Sequence, residues 1–246
     1  MTVHENRKFM QCPSFREGMA QSDQSKEITP PPYGKEVKGA TIEINVGDVV
    51  HNEYKYLLDV RRSKRKYEDT AMTKEQLAFM LWSVNGIQSL RGPGSFRPSP
   101  SGGARHPFET YIAVKNVSGL EAGIYLYHPV LNVGEKKVTI ERLYDHPGDD
   151  KISEMLAGQR WAVDAPVVLF YSCVPYKAEW RYVNMAHRVM LIDLGHVGQN
   201  YMLSAVSLGL GSCCLAAYDQ NSCDKALQIN GEDEYTVYAV TVGKAK

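Results

Sequence analysis

The sequence lacks several features that mark large classes of proteins. It has no net charge, because 28 Lys and Arg balance 28 Asp and Glu, whereas proteins that bind nucleic-acid backbone usually carry a basic excess. No apolar run approaches the ~20 residues that cross a bilayer. The five cysteines form no Cys-x-x-Cys pair, and with no secretory signal this favours a reducing compartment. We therefore expect a cytoplasmic protein that binds neither nucleic acid nor a membrane.

Internal repeats and a regular strand–helix–strand alternation are also missing. The order of elements therefore predicts an α+β fold instead of a doubly wound parallel sheet. Residues 1–52 are polar, contain Pro30-Pro31-Pro32 and have no sustained periodicity, which predicts an N-terminal extension with an extended polyproline path. The patterned part of the chain is residues 53–246.

A short helix after Asn52 is expected to end near a cluster of basic residues. Thr73-Lys74-Glu75-Gln76 has the form of a capping box and predicts a helix that stops at Asn85-Gly86. A glycine- and proline-rich loop should follow over residues 87–107. Further strands are predicted at 108–115, 123–128, 137–144, 166–171 and 235–242, and helices at 152–161 and 187–208.

Two of these predicted elements carry information about burial. Residues 166–171 are continuously apolar, which predicts a strand buried on both faces. Helix 187–208 is apolar nearly all round, which is typical of a helix inside a protein or an oligomer. Gly195 and Gly198 within it predict close approach of another backbone.

The basic cluster is Arg61-Arg62-Ser63-Lys64-Arg65-Lys66-Tyr67, with five cations in seven residues. Guanidinium groups bind phosphate through paired hydrogen bonds, and the Ser63 hydroxyl adds a neutral donor. Adjacent cations repel one another unless they share an anion. The alternative is a solvated cationic helix end, where the macrodipole favours arginine.

Two further polar segments complete the pattern. Pro100-Ser101-Gly102-Gly103 would let backbone approach a flat ring without side-chain collision, although it could also be a flexible surface turn. The chain ends on Gly243-Lys244-Ala245-Lys246, where Lys244 and Lys246 either supply phosphate-binding charge or form a frayed tail. Together with the basic cluster, these segments indicate a site for a flavin nucleotide.

In their order along the chain, these segments resemble the nitroreductase superfamily, and within it the SagB-type dehydrogenase branch. Gly123-Ile124-Tyr125-Leu126-Tyr127 and Gly195-His196-x-x-Gln199-Asn200 match as well, and the similarity covers roughly residues 50–246. The resemblance implies a single α+β domain over 53–246, with a central, mostly antiparallel sheet flanked by helices. It also implies a homodimer with FMN at each of two interface sites, touched by residues of both subunits.

The resemblance assigns the cofactor-binding residues as well. The residues that it implies for phosphate contacts are Arg61, Arg62, Ser63, Arg65, Lys244 and Lys246. The residues that it implies for flavin-ring contacts are Pro100, Ser101, Gly102, Gly103, Leu210 and Gly211. A dinucleotide fingerprint at Gly209-Leu210-Gly211 is rejected, because no third glycine follows and the segment ends a helix.

The candidate catalytic residues are Arg181 and Tyr182, at the place where azole-forming relatives carry a Lys-Tyr pair. Arginine stays protonated and cannot act as a base. Arg181 would therefore hold an anionic substrate or lower the pKa of the Tyr182 phenol. A purely structural role for both residues stays open. No metal site is expected, because His106, His187 and His196 have no partners at ligand spacing.

Two reactions are compatible with this pattern. In the first, hydride passes between flavin and a small-molecule or peptide-heterocycle substrate, with NAD(P)H as one candidate donor. In the second, the enzyme oxidises azolines (thiazolines or oxazolines) in a peptide-modifying complex.

Overall fold

The structure is a computed structural model, and it describes residues 2–11, 26–28, 53–92 and 94–246. The strands are β1 (Ser89–Arg91), β2 (Gly94–Phe96), β3 (Phe108–Val114), β4 (Gly123–Tyr127), β5 (Ile140–Asp145), β6 (Val167–Cys173), β7 (Gly211–Leu215) and β8 (Tyr235–Gly243). The helices are α1 (Val3–Met10), α2 (Glu53–Val60), α3 (Lys74–Asn85), α4 (Asp149–Met155), α5 (Tyr176–Tyr182), α6 (Ala186–Ser207) and α7 (Gln220–Leu227).

A central sheet of six strands organises the described part of the chain. Its order is β5-β4-β3-β6-β8-β7, and every neighbouring pair is antiparallel. Helices α3 and α6 contribute to the hydrophobic cluster on one face of the sheet, while α4 and α7 contribute to the cluster on the other. The expected α+β architecture, an antiparallel sheet flanked by helices, is confirmed.

Strand β6 lies at the centre of this packing. All of its residues are buried. Leu169 and Tyr171 belong to one hydrophobic cluster, and Val168 and Phe170 belong to the other, as the period of two in a strand requires. The predicted double-sided burial is therefore confirmed.

Helix α3 begins where the local sequence signal predicts. The Thr73 backbone N–H donates to Gln76 Oε1 at 2.9 Å, and the Gln76 N–H donates to Thr73 Oγ1 at 3.1 Å. This reciprocal pair satisfies two backbone donors at the start of the helix. Its last residue is Asn85, and Gly86 caps it.

The long helix α6 is buried along one side only. Met190, Leu194 and Val197 lie in the core, whereas Leu191 and Ile192 are 45% and 53% exposed. The prediction of close backbone approach at its glycines is wrong for the described chain. A Cβ on Gly198 would meet ring atoms of Tyr238 at 3.0 Å, and one on Gly195 would meet nothing within 4 Å.

Other elements differ from the sequence prediction. The loop over residues 87–107 contains the hairpin β1–β2 and a 3-10 turn. The helix predicted at 152–161 is instead α4 followed by a 3-10 segment at Arg160–Asp164, because Ala157 and Gly158 interrupt it with positive φ angles of 53° and 79°. Strand β5 begins at Ile140 rather than at residue 137, and α5 was not anticipated.

The described part of the N-terminal extension contains a helix that was not predicted. Helix α1 has its own capping box, from Thr2 to Glu5, and buries Met10 against the core. The polyproline path expected at residues 30–32 lies outside the described residues. None of the described helices combines the length and the apolarity needed to span a membrane.

Candidate functional site

The basic cluster is fixed against the C-terminal end of the chain. The Lys64 N–H donates to the Ser212 carbonyl at 2.9 Å, and Tyr67 forms a β-bridge with Ala245. A Cβ on Gly211 would lie 2.7 Å from Ala245 Cβ and 2.8 Å from Lys64 Cβ, so only glycine fits there. Three predicted cofactor segments therefore converge: the basic cluster, Gly211 and the C-terminal residues.

Tyr67 anchors the cluster in the core. Its side chain is only 1% exposed. Its hydroxyl donates to the Lys64 carbonyl at 2.8 Å and lies 2.7 Å from Thr241 Oγ1. Burial raises the pKa of the Tyr67 phenol above its usual value, so the group stays neutral. One buried aromatic residue thus holds a strongly cationic segment at the surface.

The cations of the cluster have no carboxylate partners within the described residues. Arg61 is half-buried, with Nη1 3.9 Å from the Met202 sulfur on α6. Arg62 Nη1 donates to backbone carbonyls, and the Arg65 guanidinium lies 5.8 Å from the centre of the Trp161 ring. An uncompensated group of arginines fits a phosphate, which pairs with guanidinium forks; the residues present are therefore suited to the phosphate of a flavin nucleotide.

The two C-terminal lysines lie in a less cationic setting. The Lys244 ammonium is 3.0 Å from Glu68 Oε2. Lys246 lines a polar cleft that it shares with Glu68, Asp69 and Asp164. The backbone brings both lysines to the basic cluster, but nearby carboxylates offset their positive charge.

The glycine-rich loop lies directly against the predicted catalytic pair. Gly103 has a φ of 59°, and a Cβ there would lie 2.6 Å from Tyr182 Oη and 2.8 Å from Arg181 Cδ. A Cβ on Gly102 would lie 2.4 Å from Val189 Cγ1. The absence of a side chain at Gly103 lets Arg181 and Tyr182 approach the loop, and its absence at Gly102 lets Val189 approach.

Asp193 of α6 fixes this loop, and sequence reasoning missed it. Ser101 Oγ donates to Asp193 Oδ2 at 2.6 Å, and the Gly102 N–H donates to Oδ1 at 3.0 Å. The carboxylate is buried, and the His106 N–H donates to Ser101 Oγ at 2.9 Å. Asp193 and Ser101 are 92 positions apart, so no local pattern could have revealed the contact. Pro100, at the start of the loop, is exposed.

Arg181 and Tyr182 end helix α5. The Arg181 guanidinium lies 5.6 Å from the centre of the Tyr182 ring. The next residue, Val183, has a φ of 47°, a conformation that is strained for a β-branched side chain. The predicted pair therefore sits beside a strained turn and against the glycine loop.

The two halves of the candidate site contact different parts of α6. Arg61 reaches Met202, whereas Ser101 and Gly102 reach Asp193. These α6 positions are nine residues apart, which is about 13 Å along a helix. Among the described residues, no group of three or more His, Cys, Asp or Glu side chains is arranged to hold a metal ion.

Comparison with known proteins gives consistent results. A model of the nitroreductase family matches residues 58–244. A protein of Methanocaldococcus jannaschii that is named as a nitroreductase is 31% identical over 206 residues, covering 84% of this chain and 98% of its own.

Two further matches come from microcin biosynthesis. The microcin B17-processing protein McbC of Escherichia coli is 31% identical over 167 residues, which are 65% of this chain and 57% of McbC. This chain thus spans less than two thirds of the length of McbC. A chain of the E. coli microcin synthetase McbBCD complex, solved with truncated pro-MccB17 bound, gives a TM-score of 0.72 at 20% identity, covering 99% of this chain and 93% of that one.

The family match covers most of the chain, and the archaeal relative is matched over nearly its whole length. The similarity to McbC supports the SagB-type branch that the motifs predicted. This chain therefore belongs to the nitroreductase family.

Proposed function

We propose that this enzyme works as a homodimer that moves hydride between FMN and a small-molecule or peptide-heterocycle substrate, with NAD(P)H as a candidate donor. The observation that carries the proposal is the group of unpaired arginines fixed beside Gly211 and the C-terminal residues. The flavin ring supplies the hydride chemistry when bound, so the chain needs to bind, orient and shield the reactants.

The phosphate would be held by the basic cluster. Arg61, Arg62 and Arg65 supply guanidinium donors, and the Ser63 hydroxyl adds a neutral one. Lys244 and Lys246 contribute less, because Glu68 and the neighbouring acidic residues compete for their charge.

The ring would be held by backbone. Gly102, Gly103, Leu210 and Gly211 are the residues whose backbone would contact the ring, as the family resemblance implies. Asp193 keeps the loop in place through Ser101 and Gly102.

The dimer is supported by exposed apolar residues at and near the N-terminal part of α6. A phosphate-binding segment from one subunit and a glycine loop from its partner would complete one site between them. Leu191 and Ile192 of α6, together with Met185 at 55% exposure, provide the exposed apolar surface that a permanent interface buries. Gly195 faces open space and leaves room for a second chain.

Azoline oxidation is the second candidate, favoured by the similarity to McbC and by the contact between Gly103 and Tyr182. Conversion of an azoline to an azole removes two electrons and two protons, as one hydride to the flavin and one proton to a base. Tyr182 Oη is the group beside the loop that can carry that proton. Arg181 cannot act as the base, so it would hold or orient the substrate.

The cofactor proposal is tested on purified protein. We expect a flavin absorption spectrum, and mass spectrometry of the released ligand should identify FMN. Protein that stays colourless after incubation with FMN and gel filtration would contradict it.

The azoline proposal is tested with Tyr182→Phe. We expect loss of azole formation on an azoline peptide, with FMN content unchanged, because only the proton-carrying hydroxyl is removed. Tyr176→Phe is the matched control, since Tyr176 lies on the same helix and is 66% exposed. Full azole formation by Tyr182→Phe would remove Tyr182 from the proton-transfer role.

A further inference from the structure

A separate pocket lies between the 97–106 segment and the hairpin β1–β2. Its volume is about 310 Å³, and Leu90 and Gly94 of the hairpin contribute to its wall. Its wall also includes Ile87, Arg97, Arg105, His106, Val130 and Lys177. Gly102 and Gly103 face Arg181 and Tyr182 instead, so the pocket is distinct from the contact that forms the candidate active site.

Arg97 gives this pocket a positive charge that has no ion-pair partner among the described residues. Its side chain is mostly buried, and its Nε donates to Ser95 Oγ at 3.1 Å. Within the described residues its terminal nitrogens have no hydrogen-bond partner, and no carboxylate forms an ion pair with it. Burial lowers the pKa of the guanidinium, although arginine still stays charged at neutral pH. A partly desolvated guanidinium with two free terminal nitrogens is a strong binding group for an oxyanion.

Arg105 and Lys177 also line this pocket and act on His106. Burial, together with the charges of Arg97, Arg105 and Lys177, lowers the pKa of His106 to about 4. The imidazole therefore stays neutral at pH 7, with Nε2 2.9 Å from the Ser95 carbonyl.

One carboxylate offsets part of this charge. Lys177 forms an ion pair with Glu109, and Arg105 Nε donates to the Lys177 carbonyl at 2.8 Å. Arg97 has no ion-pair partner among the described residues. The electrostatics thus favour an anionic ligand.

The apolar part of the wall restricts what that anion is. Ile87 is buried, whereas Leu90 and Val130 are exposed at the mouth. An inorganic ion would leave these hydrocarbon surfaces in contact with water, whereas a short apolar chain would cover them.

We propose that this pocket binds an organic carboxylate with a short apolar chain, the carboxylate on the Arg97 fork and the chain against Ile87 and Val130. Neither the flavin nor Tyr182 takes part, so the pocket is a recognition subsite that no step of the proposed hydride transfer uses.

The test is calorimetric titration of the FMN-loaded protein with butyrate. We expect saturable binding, at least tenfold weaker binding of the neutral analogue butyramide, and at least tenfold weaker butyrate binding by Arg97→Ala, because a charge-assisted pair is lost. Arg91→Ala should bind butyrate like the wild type, since Arg91 is an exposed cation of the same hairpin.

The proposal is overturned if the wild type does not bind butyrate, or if butyramide or the Arg97→Ala variant binds as tightly. Should Arg97→Ala fail to fold, Arg97→Lys replaces it, and a crystal soaked in butyrate must show the carboxylate at Arg97. Butyrate density elsewhere only would also overturn it. Flavin absorbance of every sample reports the FMN site separately, so failure of the flavin proposal cannot be mistaken for failure of this one.

Discussion

Arg61 is the cluster cation with the least freedom, because it is half-buried against Met202 and the neighbouring backbone is fixed through Lys64 and Tyr67. We predict that Arg61→Ala weakens FMN binding by about 1.5–3 kcal/mol, the range for a hydrogen bond to a charged group. Fluorescence titration of the flavin-free protein with FMN measures this. Lys225→Ala, an exposed cation on α7, is the control. An unchanged FMN affinity in Arg61→Ala would exclude Arg61 from phosphate binding.

His106 links stability to pH. Its pKa is about 4 in the folded state because of burial, against about 6.5 unfolded. As the pH falls below 6.5 the unfolded state binds the proton first, so stability is lost between pH 6.5 and about 4. The loss amounts to about 3 kcal/mol.

Replacing the imidazole should remove this contribution. We predict that the unfolding free energy of His106→Asn falls less steeply than that of the wild type over the same pH window. Asparagine suits this position because it tolerates the positive φ of 44°. Urea unfolding at a series of pH values checks the difference between the two proteins. Parallel curves would mean that His106 titrates normally in the folded protein.

At the scale of elements, α1 holds the segment that carries the catalytic candidates. Arg7 donates to both oxygens of Glu179 on α5, at 2.8 and 2.6 Å, and Asn6 Nδ2 donates to the Asn184 carbonyl at 3.0 Å. These contacts lie on either side of Tyr182 and the strained Val183. Helix α1 therefore restrains the turn from both sides.

We predict that Arg7→Ala destabilises the protein by about 1.5–3 kcal/mol, because the Glu179 carboxylate is buried and loses two charge-assisted hydrogen bonds. Urea unfolding measures the change. Lys8→Ala, an exposed residue of the same helix, should change stability by less than about 0.5 kcal/mol. Equal stability of the two variants would show that α1 is not coupled to the fold through Glu179.

The elements also show what a sequence can reveal. The start of α3, the double-sided burial of β6 and the length of α6 follow from local patterns: a capping box, an apolar run and a helical period. The attachment of α1 and the role of Asp193 do not, because Arg7 and Glu179 are 172 positions apart and Ser101 and Asp193 are 92 apart. The family motifs identify the basic cluster and the glycine loop. Only the fold shows which residues contact these segments and hold them in place.

For the whole molecule, we propose that each flavin site needs two copies of this chain. The arginine cluster and the glycine loop meet α6 at positions about 13 Å apart along its axis, and α6 has an exposed apolar stretch beside them. One subunit would supply the phosphate-binding half of each site and its partner the loop. Such a dimer has two equivalent sites. A substitution in the phosphate-binding half of one subunit alters one site and leaves the other unchanged.

The most direct measurement is the FMN content of mixed dimers, made by co-expressing Arg61→Ala/Arg65→Ala and Gly103→Leu subunits with different tags. Each variant alone should hold little FMN, because one lacks phosphate donors and the other fills the loop. Gly92→Leu is the control for the second, since Gly92 also has a positive φ but meets nothing within 4 Å.

In the mixed dimer both defects fall in one site and the other site is intact. We expect about one FMN per mixed dimer, against two for the wild type. A mixed dimer without FMN, or a chain that binds FMN fully as a monomer, would contradict it.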